Sequence, residues 1–381
     1  MTGIELYFSI GLIVVFILLN GFYVVLMSAY KNGWINLPLI NSKCAFNTNV
    51  SVIIACRNEA ENIKKCLDSF INQTYPKHLF ELIIVNDNSA DNTPAIVEEY
   101  ADKHSFIKLL NLQDVTGKRW AITKGVEYSK GDWIMTTDGD CWVEPTWIES
   151  VVSYYQTKNA KVILGPVKIT KGYDILTKFQ EIDFIGMIGI AGGSSSKGYP
   201  HVCNGANFSF EKKAFESING FNGNENVLGG VDMFLLQNMN KLFLGQIHFI
   251  KSVKAFTYTT SMYTWKNFFN QRIRWASLSG GMIDKKIPYI LGGVLLYNLA
   301  PLLIFISAFF IPQLWLVLII HLTVKVLVDL TFFKPVLKFY NRESLIGFYP
   351  IAQVIHILYI AVVGILSRFS SFEWKGRKIQ S

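Results

Sequence analysis

Trp133-Ile134-Met135-Thr136-Thr137-Asp138-Gly139-Asp140-Cys141 is the stretch that decides how this chain reads. An apolar, strand-like run leads into two carboxylates one residue apart, and Pro145 soon afterwards starts a predicted helix. The chain carries 36 Lys+Arg against 28 Asp+Glu, a net charge of +8. Two acids so close at a strand end repel each other unless a cation lies between them. Mg²⁺ or Mn²⁺ meets that need, because both favour one or two carboxylates together with phosphate oxygens. Asp-Gly is also a common turn dipeptide, and the triplet alone fits a polar turn equally well.

Upstream, the same grammar repeats. Val50-Ser51-Val52-Ile53-Ile54 reads as a buried parallel strand and is followed by Ala55-Cys56-Arg57-Asn58-Glu59 and a helix through Ile63, Leu67 and Phe70. A second strand at 80–85 ends in Asn86-Asp87-Asn88-Ser89, and Thr93-Pro94 supplies an N-cap and a first-turn proline for a helix to about Lys103. A third strand at 107–112 precedes a helix at 119–129, and the opening stretch is the fourth. Strands alternating with helices predict βαβ units and a mostly parallel sheet covered on both faces. Ligands of such sheets bind at the carboxyl ends of strands, where Arg57, Asp87 and Asp138 all fall. No GxGxxG follows the first strand and no GxxxxGK[ST] occurs, so dinucleotide folds and P-loops lack their fingerprints. Gly192-Gly193-Ser194-Ser195-Ser196 reads as a mobile loop.

The 381 residues suffice for two soluble domains, or for one domain plus membrane segments, and composition favours the second. Charged residues are missing from Leu6 to Tyr30, from Ile287 to Val324 and from Ser344 to Ser367. The first and third runs suit one spanning helix each, and the second suits a hairpin broken near Pro312-Gln313. Glu5 stands where a signal peptide would be basic, so the first run reads as an anchor. The expected division is an N-terminal transmembrane helix and linker at 1–46, a soluble domain at 47–281, and C-terminal transmembrane helices with a basic tail at 282–381. Lys31 and Lys43 after the first run place the domain in the cytoplasm, with the N-terminus outside. Three full C-terminal crossings would then leave Trp374-Lys375-Gly376-Arg377-Lys378 outside, against its charge. Pro350 within the last run makes a re-entrant or interfacial segment the alternative. The five cysteines (44, 56, 66, 141 and 203) form no metal-binding pattern and read as reduced thiols.

Seven short motifs in order resemble the family-2 glycosyltransferases with the GT-A fold. They are Ala55–Glu59, Asn86–Ser89, Gly117-Lys118-Arg119, Asp138-Gly139-Asp140, Gly205-Ala206-Asn207, Gly230-Val231-Asp232 and Gln271-Arg272-Ile273-Arg274-Trp275. Each is weak alone; the ordered set covers about Val50 to Trp275. The flanking helices resemble the membrane branch that holds cellulose, chitin and hyaluronan synthases and ceramide glucosyltransferases. The resemblance implies an α/β GT-A domain flanked by transmembrane helices, in a bacterial inner or plasma membrane. It implies that Asp87 meets the nucleotide base, beside Ala55, Arg57 and Glu59, and that Lys118 helps hold the nucleotide. Asp138 and Asp140 would meet ribose and the diphosphate-bound metal, Mg²⁺ or Mn²⁺. Asp232 would be the general base, Asn207 and Trp275 would meet the acceptor, and Gln271, Arg274 and Trp275 would close over the donor. The family's commoner pattern has an acid where this chain has Val231.

The chemistry is coherent on its own terms. Inverting sugar transfer needs a carboxylate to deprotonate the acceptor hydroxyl and cations to stabilise the departing diphosphate. Gln271, Arg274 and Trp275 are spaced i, i+3, i+4, which a helix places on one face. Arg suits phosphate through its bidentate fork, and Trp offers a flat face to a sugar ring. Each residue also has a plainer use. Asp87 fits a helix cap, Asp232 an early-turn acid, Asn207 a structural amide, Lys118-Arg119 a solvated basic pair, and Arg274-Trp275 a membrane-interface anchor.

Two further segments are informative. Lys325 and Asp329 are four apart in an apolar run and read as a self-neutralised pair. Residues 175–190 read either as an interfacial helix guiding a lipid or as a core-facing helix. The expected activity is transfer from a nucleotide-sugar donor, UDP-linked, to a membrane lipid acceptor within the bilayer. The alternatives are a growing glycan as acceptor, with a possible membrane partner subunit, and an inactive membrane scaffold. No nucleic-acid partner is expected.

Overall fold

The computed structural model describes residues 3–39, 45–170, 172–221, 230–277, 284, 286–367, 372–374 and 377–379. Lys43, Cys44, the boundary expected at 281/282 and Lys375-Gly376 of the basic pentapeptide lie outside them. The chain opens with α1 (Gly3–Ile35), apolar and long enough to cross a membrane over Ile13–Ile35. Four strands follow: β1 (Val50–Cys56), β2 (Phe80–Asn86), β3 (Ile107–Asn111) and β4 (Trp133–Asp138). Between them lie α2 (Ile63–Ile71), α3 (Thr93–Lys103) and α4 (Lys118–Tyr128). All four strands are parallel, in the order β3-β2-β1-β4, and Ala55 pairs with Val85 on one side and Asp138 on the other. This register brings the carboxyl ends of β1, β2 and β4 to one edge. The near-continuous apolar runs are explained by burial on both faces: Val52 and Ile54 enter one apolar cluster, and Ile53 enters another.

The second half completes the sheet. It contains β5 (Trp142–Val143), α5 (Trp147–Lys158), β6 (Val162–Leu164), β7 (Val167–Ile169), α6 (Ile175–Ser196), β8 (Phe208–Glu211) and α7 (Lys212–Ser217). Next come α8 (Val231–Leu242), β9 (Ile247–Phe249), β10 (Thr257–Thr259) and α9 (Trp265–Ser277). The seven-stranded order is β3-β2-β1-β4-β8-β6-β9, and β8 alone runs antiparallel to its neighbours. A small sheet, β5-β10-β7, stands beside it. The helix after Pro145 starts two residues later than expected, capped at Thr146. The α3 cap is Asn92, because Thr93 already has helical geometry and its hydroxyl donates to Asp91 Oδ1.

The expected hairpin is α10 (Lys286–Ala308) and α11 (Leu314–Phe339), and the last apolar run forms α12 (Tyr349–Leu366). Pro350 starts α12 rather than breaking it. Lys325 and Asp329 do pair, at 3.1 Å and both buried. Asp329 also accepts from the hydroxyls of Tyr23 and Tyr349 and from Gln353 Nε2 at 3.1 Å.

Residues 192–196, expected as a mobile loop, form the end of α6 and are buried as far as Ser195. The reason is packing. A Cβ on Gly33 would fall 2.1 Å from the Gly193 carbonyl oxygen, and one on Gly193 would fall 2.3 Å from that of Tyr30. The glycines therefore serve close contact between α1 and α6, not a turn. With Phe179, Ile182 and Ile185 buried, α6 is a core helix between the sheet and the membrane helices. Its two acids are neutralised by distant arginines, Glu181 by Arg342 and Asp183 by Arg272 at 2.7 Å. Two short strands, β11 (Phe372–Trp374) and β12 (Arg377–Ile379), pair antiparallel after α12.

Candidate active site

The ends of β1 and β2 are tied into one loop system. Arg57 Nη1 donates to the carbonyls of Asp87 and Asn88, each at 2.9 Å. Asn58 and Asn88 both take left-handed backbone angles, and Asn58 Oδ1 accepts from the Ala90 amide at 2.8 Å. The Glu59 amide donates to Thr93 Oγ1, and its carboxylate accepts from Asn62 Nδ2. Asp87 is buried, its amide held by the Cys56 carbonyl at 2.8 Å. Arg57 thus braces the two loops that frame Asp87, and half-buried Ala55 is the last residue but one of the strand beneath them.

The Asp138-Gly139-Asp140 turn packs directly over this system. A Cβ on Gly139 would meet Glu59 Cγ at 3.0 Å and Cys56 Cβ at 3.1 Å, so glycine permits the close approach. Asp138 and Asp140 are half-buried, and their carboxylates lie with Cys141 Sγ in a group whose ligand atoms are all within 4.8 Å of one another. Burial and the two neighbouring carboxylates push the Cys141 thiol well up, so it stays protonated. Lys118, in the first turn of α4, donates to Asp138 Oδ1 at 2.5 Å. Burial alone would lower the Lys118 ammonium, but Asp138 and Asp232 outweigh it and hold the group above its ordinary value.

Asp232 approaches from the opposite side, in the first turn of α8 behind Gly230, whose φ is +66°. Gly205 separates it from Lys118: a Cβ there would lie 3.0 Å from Lys118 Nζ and 3.3 Å from Asp232 Oδ2. Val231 is buried in the core, so the side chain before Asp232 points away from the crevice. That explains an apolar residue at this position. Arg274 on α9 completes the group. Burial pulls its guanidinium down from its ordinary value, while Asp138, Asp232 and Asp140 oppose that shift. One crevice therefore holds three carboxylates and two permanent cations.

The other expected residues divide. Gln271 is half-buried on α9, and Trp275 is half-buried against Phe184, with the guanidinium of Arg272 4.2 Å from its ring centre. Asn207 is turned inward, contrary to an acceptor role. Its Nδ2 donates to the carbonyls of Pro166 and Ala255, each at 2.8 Å, and its Oδ1 accepts from Trp147 Nε1 at 3.1 Å. Both amide donors are consumed inside the fold, so the plainer reading, a structural amide, describes it. The sequence motifs contain Arg272 and Cys141 but give neither a role of its own. Glu181 and Asp183 in an otherwise mostly apolar helix are the signal for buried basic partners.

The donor set suits a divalent metal. Two carboxylates of one turn share an opening, leaving positions for phosphate oxygens as hard divalent cations require.

Comparison with known proteins agrees with this fold. Residues 51–218 match the model described as "Glycosyl transferase family 2". Probable glycosyltransferase YdaM of Bacillus subtilis (strain 168) is 29% identical over 247 residues, covering 63% of this chain and 57% of that protein. Poly-beta-1,6-N-acetyl-D-glucosamine synthase of Staphylococcus epidermidis is 30% identical over 189 residues, covering 48% and 44%. The chain thus spans about half the length of the curated relatives it matches. The fold is shared with mannosyltransferase PcManGT from Pyrobaculum calidifontis, solved with GDP-Man and Mn²⁺, at a TM-score of 0.55 and 16% identity over 92% of this chain and 99% of that one. Residues 51–218 of this chain are a glycosyl transferase family 2 domain on a GT-A-like fold.

Proposed function

We propose that the chain is a membrane-bound, inverting glycosyltransferase that moves a sugar from a UDP-linked donor to the hydroxyl of a membrane lipid, on the cytoplasmic face. The observation that carries this is the meeting of Asp138, Asp140, Asp232, Lys118 and Arg274 in one crevice. In this reading the Asp232 carboxylate takes the proton of the acceptor hydroxyl as its oxygen attacks the anomeric carbon. The bond from that carbon to the diphosphate oxygen breaks, and the nucleoside diphosphate leaves. Lys118 and Arg274 meet the charge that grows on the departing diphosphate. Asp138 and Asp140 would hold Mg²⁺ or Mn²⁺, which when bound neutralises diphosphate charge. Asp87 is buried beside the crevice, where the nucleotide base would lie.

A lipid acceptor is favoured by the membrane helices. Tyr23 and Tyr297 stack at 3.8 Å among the Asn20, His321, Lys325 and Asp329 side chains, so the interior of the bundle is filled with buried groups. A glycan acceptor is the second reading, favoured by the match to the poly-N-acetylglucosamine synthase. Membranes containing the chain, incubated with labelled UDP-sugars with and without a chelator, test both. Metal-dependent label in the lipid extract supports the first reading, and label in insoluble polymer supports the second. Label in neither, from any donor, counts against transfer.

A further inference from the structure

Among the described residues, four helices are long and apolar enough to cross a membrane, α12 with its preceding turn among them. The contacts of α12 describe something else. Tyr23 on α1, Tyr297 on α10 and Asp329 on α11 share one level: the two rings stack at 3.8 Å, and the Tyr23 hydroxyl donates to Asp329. At the start of α12, Tyr349 OH and Gln353 Nε2 reach the same Asp329, at 2.6 and 3.1 Å. Near its other end, a Cβ on Gly364 would lie 2.9 Å from Leu295 Cδ1, two residues from Tyr297. From residue 349 to 364 a helix advances about 22 Å at 1.5 Å per residue. A crossing helix would spend that advance on depth and bring Gly364 beside the far end of α10. Instead, both ends of α12 stand at one level.

The middle of the helix agrees. Tyr359 packs among Phe179 of α6 and Phe268 and Phe269 of α9, with ring centres 5.9, 5.4 and 6.3 Å away. These belong to the transferase domain, not to the hairpin. β11, which follows α12, also lies beside α9. The opposite face is an apolar stripe: Ile351, Val354, Leu358, Val362 and Ile365 are 42–62% exposed at helical spacing. Charge agrees independently. Lys334, Lys338 and Arg342 precede α12, and Arg368, Arg377 and Lys378 follow it. A crossing would split these basic groups between the two sides, and an in-plane helix keeps them together.

We propose that α12 lies in the membrane plane, with its apolar stripe on the acyl chains of the leaflet nearest the transferase domain. The protein then crosses the membrane with α1, α10 and α11, and its C-terminal tail is on the side of the catalytic domain. Because α12 packs on α9, it sets the height of Gln271, Arg274 and Trp275 above that leaflet. The topology stands independently of the transferase reading.

Two measurements on the full-length chain test it. With a C-terminal epitope tag and an impermeant protease, sealed vesicles in which the domain at residues 45–277 is cut should also lose the tag. Loss of the tag only in vesicles of the opposite orientation overturns the proposal. In the second, a genetically encoded nitroxide is placed singly at 351, 354, 358, 362 and 365 in proteoliposomes, and depth is read from the oxygen-to-nickel-chelate relaxation ratio. The five depths should agree within about one helical turn, 5.4 Å. A profile that deepens steadily along the helix, or five labels that all read as aqueous, overturns it. Neither measurement depends on sugar transfer, so failure here leaves the transferase reading untouched.

Discussion

Lys118 Nζ stands 2.5 Å from Asp138 Oδ1, joining the first turn of α4 to the end of β4. The ammonium is also held by Asp232 and stays charged across the working pH range. Lys118→Met should leave Asp138 facing like charge and remove a cation from the diphosphate site. Nucleotide affinity should fall about 10-fold or more, the size of one hydrogen bond to a charged group. Calorimetric titration of UDP into the purified variant measures it, and an unchanged affinity would remove Lys118 from the site.

Arg272 and Arg274 are two residues apart on α9 with opposite assignments. Arg272 is buried against Asp183, and Arg274 faces the three acids of the crevice. Arg272→Ala should cost about 3–5 kcal/mol by stranding a buried carboxylate, seen as a lowered Tm and poor yield. Arg274→Ala should keep its Tm near wild type and lose roughly 100-fold or more in kcat, as expected for a lost transition-state charge contact. Parallel melting and turnover assays compare the pair; equal effects on both quantities would refute the division.

Asn207→Ala should act on folding and not on acceptor binding. It leaves Trp147 Nε1 and the carbonyls of Pro166 and Ala255 without their partner, each buried loss costing about 1–3 kcal/mol. Thermal melting should show a large drop, and any folded fraction should keep the wild-type acceptor KM. A stable variant with raised acceptor KM would restore the acceptor role.

Glu81 carries a pH-dependent share of stability. Burial acts to raise its carboxyl, but Lys108, Ser51 and the Lys130 amide outweigh it and hold it below the ordinary 4.5. A depressed folded value means the contribution is complete above the ordinary value and is lost as pH falls from there through the folded value. Glu81→Gln should therefore lower Tm at neutral pH and show a shallower fall of Tm on acidification. Melting curves across the acid range check this, and parallel curves for the two proteins would contradict it.

The legible parts of the chain were those whose signal is local. β1, β2 and β4 announce themselves by short apolar runs because both sheet faces are covered, and Asp87 and Asp138 follow as strand ends. The hairpin of α10 and α11 is equally local, since Pro312-Gln313 interrupts one long uncharged run. What sequence alone missed depends on partners far along the chain. Asp183 pairs with Arg272 and Glu181 with Arg342, and these remote partners decide between the two readings left open for residues 175–190, interfacial or core-facing, in favour of the core. Gly192-Gly193 reads as a loop because glycine marks turns and close helix contacts alike, and only the position of Gly33 distinguishes them. Asn207 has the same ambiguity, since an amide that binds a ligand and one that ties strands together look identical in sequence. Val231 was a departure from the expected pattern until its burial showed that the position faces the core.

The proposed base gives the most direct test. Asp232→Asn keeps the side-chain size in the first turn of α8 and removes the carboxylate that would accept the proton. Sugar transfer from labelled UDP-sugar to lipid should fall by roughly 100-fold or more, the scale of general-base catalysis, while UDP affinity and Tm stay near wild type. Full transfer activity in Asp232→Asn would contradict the account.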